Sequence, residues 1–239
     1  MMKISQYPYL YQLSFMPRLF PVNCYLVEEQ EELTLIDAAL PYSSKAILKT
    51  AREIGKPITR IVLTHAHDDH IGALDRLKEE LPDAKVFISR RDSKLLQGDT
   101  ALEPEEPQKP IKGGVPKRVK TRPDVLLSDG DAVGSLKAVA CPGHTPGSMA
   151  FYDERSGCLI VGDAFQTRGG IAVSGKMKAM FPFPAMATWD PAASVRSAKK
   201  LAKRAPALLA VGHGAVLMNP LAQMEQAITE AEQALGKGQ

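Results

Sequence analysis

The chain has 239 residues, of which 44% are hydrophobic, 24% charged and 6% aromatic, and it carries a formal net charge of +3. A chain of this length buries a sizeable core, and no apolar run approaches the roughly twenty residues that span a bilayer. So small a charge gives no argument for nucleic acid, and Cys24, Cys141 and Cys158, odd in number and widely spaced, make a poor disulfide framework and suit a reducing cytosol.

The first twenty residues, interrupted by Pro8 and Pro17, lack the continuous apolar region and cleavage site of a secretory signal, so a cytoplasmic protein is expected. Residues 22–27 and 33–36 flank the acidic "EEQEE" and read as a hairpin, with Asp37 ending the second strand. Ala46, Ile47, Ala51 and Ile54 recur at helical spacing, with Ser43 or Ser44 as N-cap and Gly55 as stop. "RIVLT" is a strand that runs into His65. Ile71, Leu74, Leu77 and Leu81 then mark a helix closed by Pro82, and "KVFIS" is the next strand.

Residues 99–123 are rich in Pro, Gly and Lys and read as a solvated loop, with a basic binding patch as the lesser alternative. "LKAVA", "SMAFYD" and "CLIVGD" follow as strands. Residues 165–189 show no period but carry several Met and Phe residues. Helices are expected over 191–204 and 220–235, with "ALLAV" between them as a buried strand. Strands alternating with helices place the chain in the α/β or α+β class, as one domain over residues 1–239.

The chain has five histidines, three of them in "LTHAHDDHIG" and the others in "CPGHTPGS" and "VGHG". His65 and His67 stand two apart after a strand, and Asp69 and His70 open the helix that follows. Four side chains of the type that borderline cations accept thus converge on one small volume. A lone His-x-His is a weak metal signal, whereas a cap or a satisfied core histidine does not require four coordinating groups in one span.

"THAHDDH" resembles the signature of the metallo-β-lactamase superfamily, and His144, Asp163 in "VGDA" and His213 follow in that family's order. The resemblance implies a four-layer αββα sandwich and a hydrolase with two divalent metals, zinc first, with manganese or iron as alternatives. It assigns His65, His67 and His144 to one metal and Asp69, His70 and His213 to the other, with Asp163 bridging. A metal-bridging hydroxide would then cleave an ester, thioester or lactone, with Asp69 orienting it and passing a proton to the leaving group. Asp37, at the end of the "LID" strand, is expected to orient a ligand histidine, and Asp68 either does the same or caps the helix. Cys141, three residues before His144, is read as packing.

Within the family, Asp163 and the absence of a signal argue against a true β-lactamase, which carries Cys or Ser near that position. Only 26 residues follow His213, too few for the helical region with which glyoxalase II grips glutathione. No tyrosine lies beyond Tyr152, unlike the lactonases; His67 stands where flavodiiron proteins have Glu; and persulfide dioxygenases use only part of the ligand set. A phosphodiesterase or nuclease is the alternative from another substrate class, and a binding protein without catalysis is a third reading. Arg168, Lys176, Met177 and Trp189 are candidate substrate contacts, with packing over a sheet edge or a dimer contact as the equal alternative for their segment. A small-molecule substrate is expected, with neither nucleic acid nor membrane as a partner.

Overall fold

A computed structural model describes residues 2–236. Seven strands, β1 (Met2–Tyr7), β2 (Leu10–Phe15), β3 (Val22–Glu28), β4 (Leu33–Ile36), β5 (Ile58–Val62), β6 (Lys85–Ser89) and β7 (Val125–Leu127), form the first sheet in sequence order. The first three pairings are antiparallel and the last three parallel. The second sheet holds β8 (Ala132–Val133), β9 (Leu136–Ala140), β10 (Met149–Asp153) and β11 (Cys158–Ile160). After the small ribbon β12 (Phe165–Gln166) and β13 (Ala172–Val173), β14 (Leu208–Ala210) and β15 (Leu217–Met218) complete it, with β14 parallel to β11.

Period-two alternation builds the layers. Tyr25 and Val27 of β3 enter a cluster shared with Met149, Phe151 and Ile160 of the second sheet, so this cluster lies between the sheets. Cys24 and Leu26, on the opposite face, pack against Ile47, Leu74 and Leu77 from helices α1 (Ser44–Ile54) and α3 (Leu74–Glu80). The far side of the second sheet sends Ala150, Leu159 and Leu209 against α6 (Pro191–Ala202) and α7 (Leu221–Gly236). The result is a helix–sheet–sheet–helix sandwich, in which each large apolar side chain contributes about 1.5–3 kcal/mol by burial. Cys141 packs in the outer cluster of the second sheet. No helix among the described residues is long and apolar enough to cross a membrane.

Several local expectations change. The helix expected from Ile71 onward is divided into α2 (Asp68–Ile71) and α3. Gly55 ends α1 in the left-handed region at φ +84°, but Ser43 makes no capping bond; its Oγ accepts the Leu40 N–H at 3.2 Å instead. Residues 99–123 are the largely exposed loop expected, but they are not free. They leave α4 (Asp92–Leu96) and are pinned by the Arg91–Glu106 ion pair, one arm of it 2.6 Å, and by Trp189 Nε1 donating to the Lys109 carbonyl.

Candidate metal centre

Topology gathers the polar residues at one edge of the sandwich. Asp37, His65 and Asp92 follow the parallel strands β4, β5 and β6, and Asp163 and His213 follow the parallel strands β11 and β14. His144 precedes β10, which is antiparallel to β11, so it reaches the same edge.

There the potential ligand atoms face one another. His67 Nδ1 lies 3.0 Å from His144 Nε2, and Asp163 lies 3.4 Å from His144 Nε2, 3.2 Å from His213 Nε2 and 3.4 Å from His70 Nε2. Asp69 Oδ2 is 3.4 Å from His213 Nε2. Atoms bonded at 2.0–2.1 Å to a common tetrahedral cation stand about 3.4 Å apart, so these spacings are those of ligand-shell edges. Three groups can each hold a cation: His65, His67 and His144; His65, His70 and Asp163; and Asp69, His70 and His213. His65 Nε2, His70 Nε2 and Asp163 Oδ1 are buried without a hydrogen-bond partner, a costly arrangement that a cation relieves. The donor set and these orphaned atoms fit divalent metal.

The ring nitrogens facing away from this focus are all anchored, which fixes each imidazole's tautomer and direction. His70 Nδ1 donates to Asp37 at 2.8 Å and His213 Nδ1 to the Pro21 carbonyl at 2.7 Å. Thr64 gives its hydroxyl proton to Asp37 and so accepts from His65 Nδ1 at 3.0 Å. His144 Nδ1 meets Ser174 Oγ at 2.9 Å, and His67 Nε2 donates to the Lys112 carbonyl at 2.9 Å. Asp37, at φ +60°, therefore orients one histidine directly and another through Thr64.

Asp68 does neither of the things expected of it. His67 occupies the N-cap position without a capping bond, while Asp68 opens α2, exposed, with no bond from its carboxylate to any histidine. Its side chain lies instead beside Gly114. Partial screening from solvent and the neighbouring Asp69 raise its pKa.

Electrostatics divide the histidines. Burial, together with the neighbouring imidazoles, holds His65 well below its ordinary value. Burial likewise pulls His144 down to about 3 and lowers His67. These three are neutral and ready to ligate. Burial opposes charge on His213 and His70 as well, but Asp163 and Asp69 outweigh it, pushing His213 to about 10 and, with help from Asp37, His70 well above its usual range. Asp163, despite its burial, is held well below the carboxylate range by His213 and His70.

A metal must displace the protons on His70 and His213. Loading the metal-free protein near pH 7.5 is therefore expected to release about three protons per chain, two from these imidazoles and one from water, measured by calorimetry in buffers of different ionisation enthalpy. Both histidines have raised folded pKa values. Their contribution to metal-free stability is full below about pH 6.5 and is lost as pH rises through about 10 for His213. Thermal melts of the metal-free protein are expected to show that decline, and melts of the loaded protein are not.

The cleft above these residues, about 320 Å³, is walled by Phe20, Phe183, Pro184 and Met186, with Gly113 and Gly114 at its rim. Phe20 and Phe181 also pack on the His213 ring, with centroids at 5.3 and 5.4 Å. None of the four proposed substrate contacts lines it. Arg168 turns away to the Arg18 carbonyl, Trp189 is buried beneath the residue 109 backbone, and Lys176 and Met177 lie outside the cleft. The apolar wall does come partly from residues 165–189, but through Phe183 and Met186, because α5 (Phe183–Met186) is the part of that segment that turns inward.

Sequence reading also missed Asp92. Fully buried, it accepts Ala66 N–H at 3.1 Å, Thr145 Oγ1 at 2.7 Å and Gly147 N–H at 2.8 Å, tying the His65–His67 turn to the His144 loop. Burial raises its pKa to about 6. Gly113 is the other omission. At φ +90° it passes so close to His67 that an added Cβ would lie 2.5 Å from the ring. Gly113→Ala is expected to displace the Lys112 carbonyl and weaken metal binding about 10–100-fold, measurable by competition with a chromogenic chelator.

The family profile described as "Metallo-beta-lactamase superfamily" matches residues 17–213. Over 231 residues the chain is 59% identical to the uncharacterised protein YobT of Bacillus subtilis, covering 97% of this chain and 99% of that one. It is 29% identical to the probable metallo-hydrolase YflN of the same organism, covering 80% of each. Among solved structures, the mono-zinc form of the metallo-β-lactamase FIM-1 from Pseudomonas aeruginosa superposes with a TM-score of 0.75 at 17% identity, over 98% of this chain and 96% of that one.

Proposed function

Because the chain belongs to the metallo-beta-lactamase superfamily, we propose that it is a metallohydrolase with two divalent cations that cleaves an ester, thioester or lactone. The observation that carries this reading is the central carboxylate of Asp163, within 3.2–3.4 Å of three histidines from separate elements, beneath a cleft lined by no lysine or arginine. Two cations would meet the charge of a single phosphodiester, but a nucleic-acid backbone needs lysine or arginine along its path, whereas a neutral acyl group suits apolar walls.

Two cations held there, zinc or a metal of similar ligand preference, supply hydroxide at neutral pH and polarise a carbonyl. His65, His67 and His144 would hold one, Asp69, His70 and His213 the other, with Asp163 shared. Asp69 is the ligand most open to the cleft, its side chain 29% exposed, and its pKa is depressed despite burial by His70 and His213. As an ionised carboxylate at the cleft it would orient the hydroxide and, once the hydroxide has added to the carbonyl, relay that hydroxyl's proton to the leaving group. Phe20, Phe183 and Met186 offer an apolar wall to the substrate, and Asp37, Thr64 and the Lys112 carbonyl keep the imidazoles aimed.

The test is a panel of initial rates for metal-loaded protein on an ester, a thioester, a lactone, a cephalosporin and a phosphodiester, beside Asp69→Asn. Turnover confined to the first three and lowered about 10²–10³-fold in the variant is the expected result. A rate on the phosphodiester or the cephalosporin alone would replace this reading with a nuclease or a β-lactamase.

A further inference from the structure

The inner face of the first sheet changes character along its registered rows. Tyr7, Leu10 and Val27 form one row, packed into the apolar layer between the sheets. The next row is Ser5, Gln12 and Tyr25, and the one after it Lys3, Ser14 and Asn23. Residues that share a face in alternating strands are normally apolar where that face is covered, so two successive rows dominated by polar residues break the pattern that makes the sandwich.

These rows do not fill the space above them. A cavity of about 260 Å³ lies between them and the segments Thr167–Gly169 and Gly214–Ala215, and it shares no lining residue with the cleft over the histidines. Lys3 reaches it from the edge strand and Arg168 from the opposite side. Neither enters an ion pair among the described residues, and no aspartate or glutamate lines the cavity. Ser5, Tyr7, Ser14 and Thr167 add hydroxyls. Gln12, only 5% exposed, is held by its amide donating to the Gly214 carbonyl at 2.9 Å, and Asn23 donates to the same carbonyl at 2.8 Å. The floor is thus rigid, hydroxyl-rich and positively charged.

We infer that this cavity is a second binding site, separate from the hydrolytic cleft, for a small oxyanion: a carboxylate or phosphate group held between Lys3 and Arg168 and hydrogen-bonded by the hydroxyls around them. Lys3 and Arg168, the latter held only by the Arg18 carbonyl, repel one another across the cavity, and an anion between them relieves that cost. The position also explains why Arg168 stands outside the cleft, for its charge serves a different pocket. Because the two pockets share no residue, the inference stands whatever bond the cleft hydrolyses.

The experiment is a titration of metal-loaded, ¹⁵N-labelled protein with inorganic phosphate and, separately, with acetate, followed by backbone amide resonances. Saturable shifts centred on Ser5, Ser14 and Thr167–Gly169 are expected, and the anion that produces them identifies the phosphate or the carboxylate class. Lys3→Gln, on an exposed edge position, should weaken binding a few-fold, and Lys3→Gln with Arg168→Gln about tenfold or more. Shifts confined to His144, Asp163 and the cleft walls would put the anion at the metal centre and overturn the inference. So would shifts that grow linearly without saturating, or affinity unchanged in both variants.

Discussion

Replacing Asp163 with Ala is expected to abolish hydrolysis, lowering kcat about a thousandfold, with the far-ultraviolet circular dichroism spectrum unchanged. Asp163 touches His70, His144 and His213, so its carboxylate faces ligands of both proposed metal positions. Removing a single preorganised electrostatic element from an active site costs about 10²–10³ in rate, and here the lost group also holds the metals. The fold is expected to survive because Asp163 belongs to none of the three apolar clusters that join the sheets and helices. Turnover retained at more than a tenth of the parent rate, in a variant that still binds metal, would remove Asp163 from the chemistry.

Asp37→Ala should produce the second large effect, and chiefly in stability. Its carboxylate accepts the Thr64 N–H and the Thr64 hydroxyl, each at 2.8 Å, and the His70 Nδ1–H. Alanine strands all three donors in the interior, at about 1–3 kcal/mol each where water does not reach them. For a chain of this size a loss of a few kcal/mol lowers Tm by on the order of ten degrees. Metal affinity should fall 10–100-fold as His70 and His65 lose their orientation. Asp37→Asn separates the two roles: one acceptor oxygen survives to bond Thr64 and recover part of the Tm, but the amide does not serve His70 as the carboxylate does, so affinity stays low. Full recovery of metal binding in Asp37→Asn would make Asp37 a structural residue only.

How much of this was legible depended on whether the signal lay in side chains or in backbone. The cluster around His65 is readable because coordination requires particular side chains at close spacing, and His144, Asp163 and His213 could be added because their short motifs recur in the family's order. The strands were readable where apolar residues fill both faces, as in "CLIV" and "ALLAV". The first two strands were not, because the inner face of that hairpin carries Lys3, Ser5, Gln12 and Ser14 in place of the expected alternation. Trp189 is a candidate substrate contact in the sequence because its segment lies between Asp163 and His213. Its indole instead supports the residue 109 backbone from below.

The support given to His67 by residue 112 left no trace at all, since it comes from a carbonyl that any residue carries. Asp92 reads in "RRDSK" as an ordinary surface charge, and only the topology, which sets the end of β6 beside the His144 loop, turns it into a buried clamp. Phe20 is separated from the apolar wall at Phe183 by most of the chain, and a single sequence offers nothing to connect the two.

The measurement closest to the central claim is metal stoichiometry read together with rate. The metal-free protein is titrated with zinc, freed of excess by gel filtration, and assayed for metal by mass spectrometry and for hydrolysis of the best acyl substrate. Two equivalents bound per chain, with activity complete only when both are present and one equivalent or fewer retained by Asp163→Ala, is the predicted result. Full activity at one equivalent, or two equivalents held without Asp163, would contradict a centre built around that carboxylate.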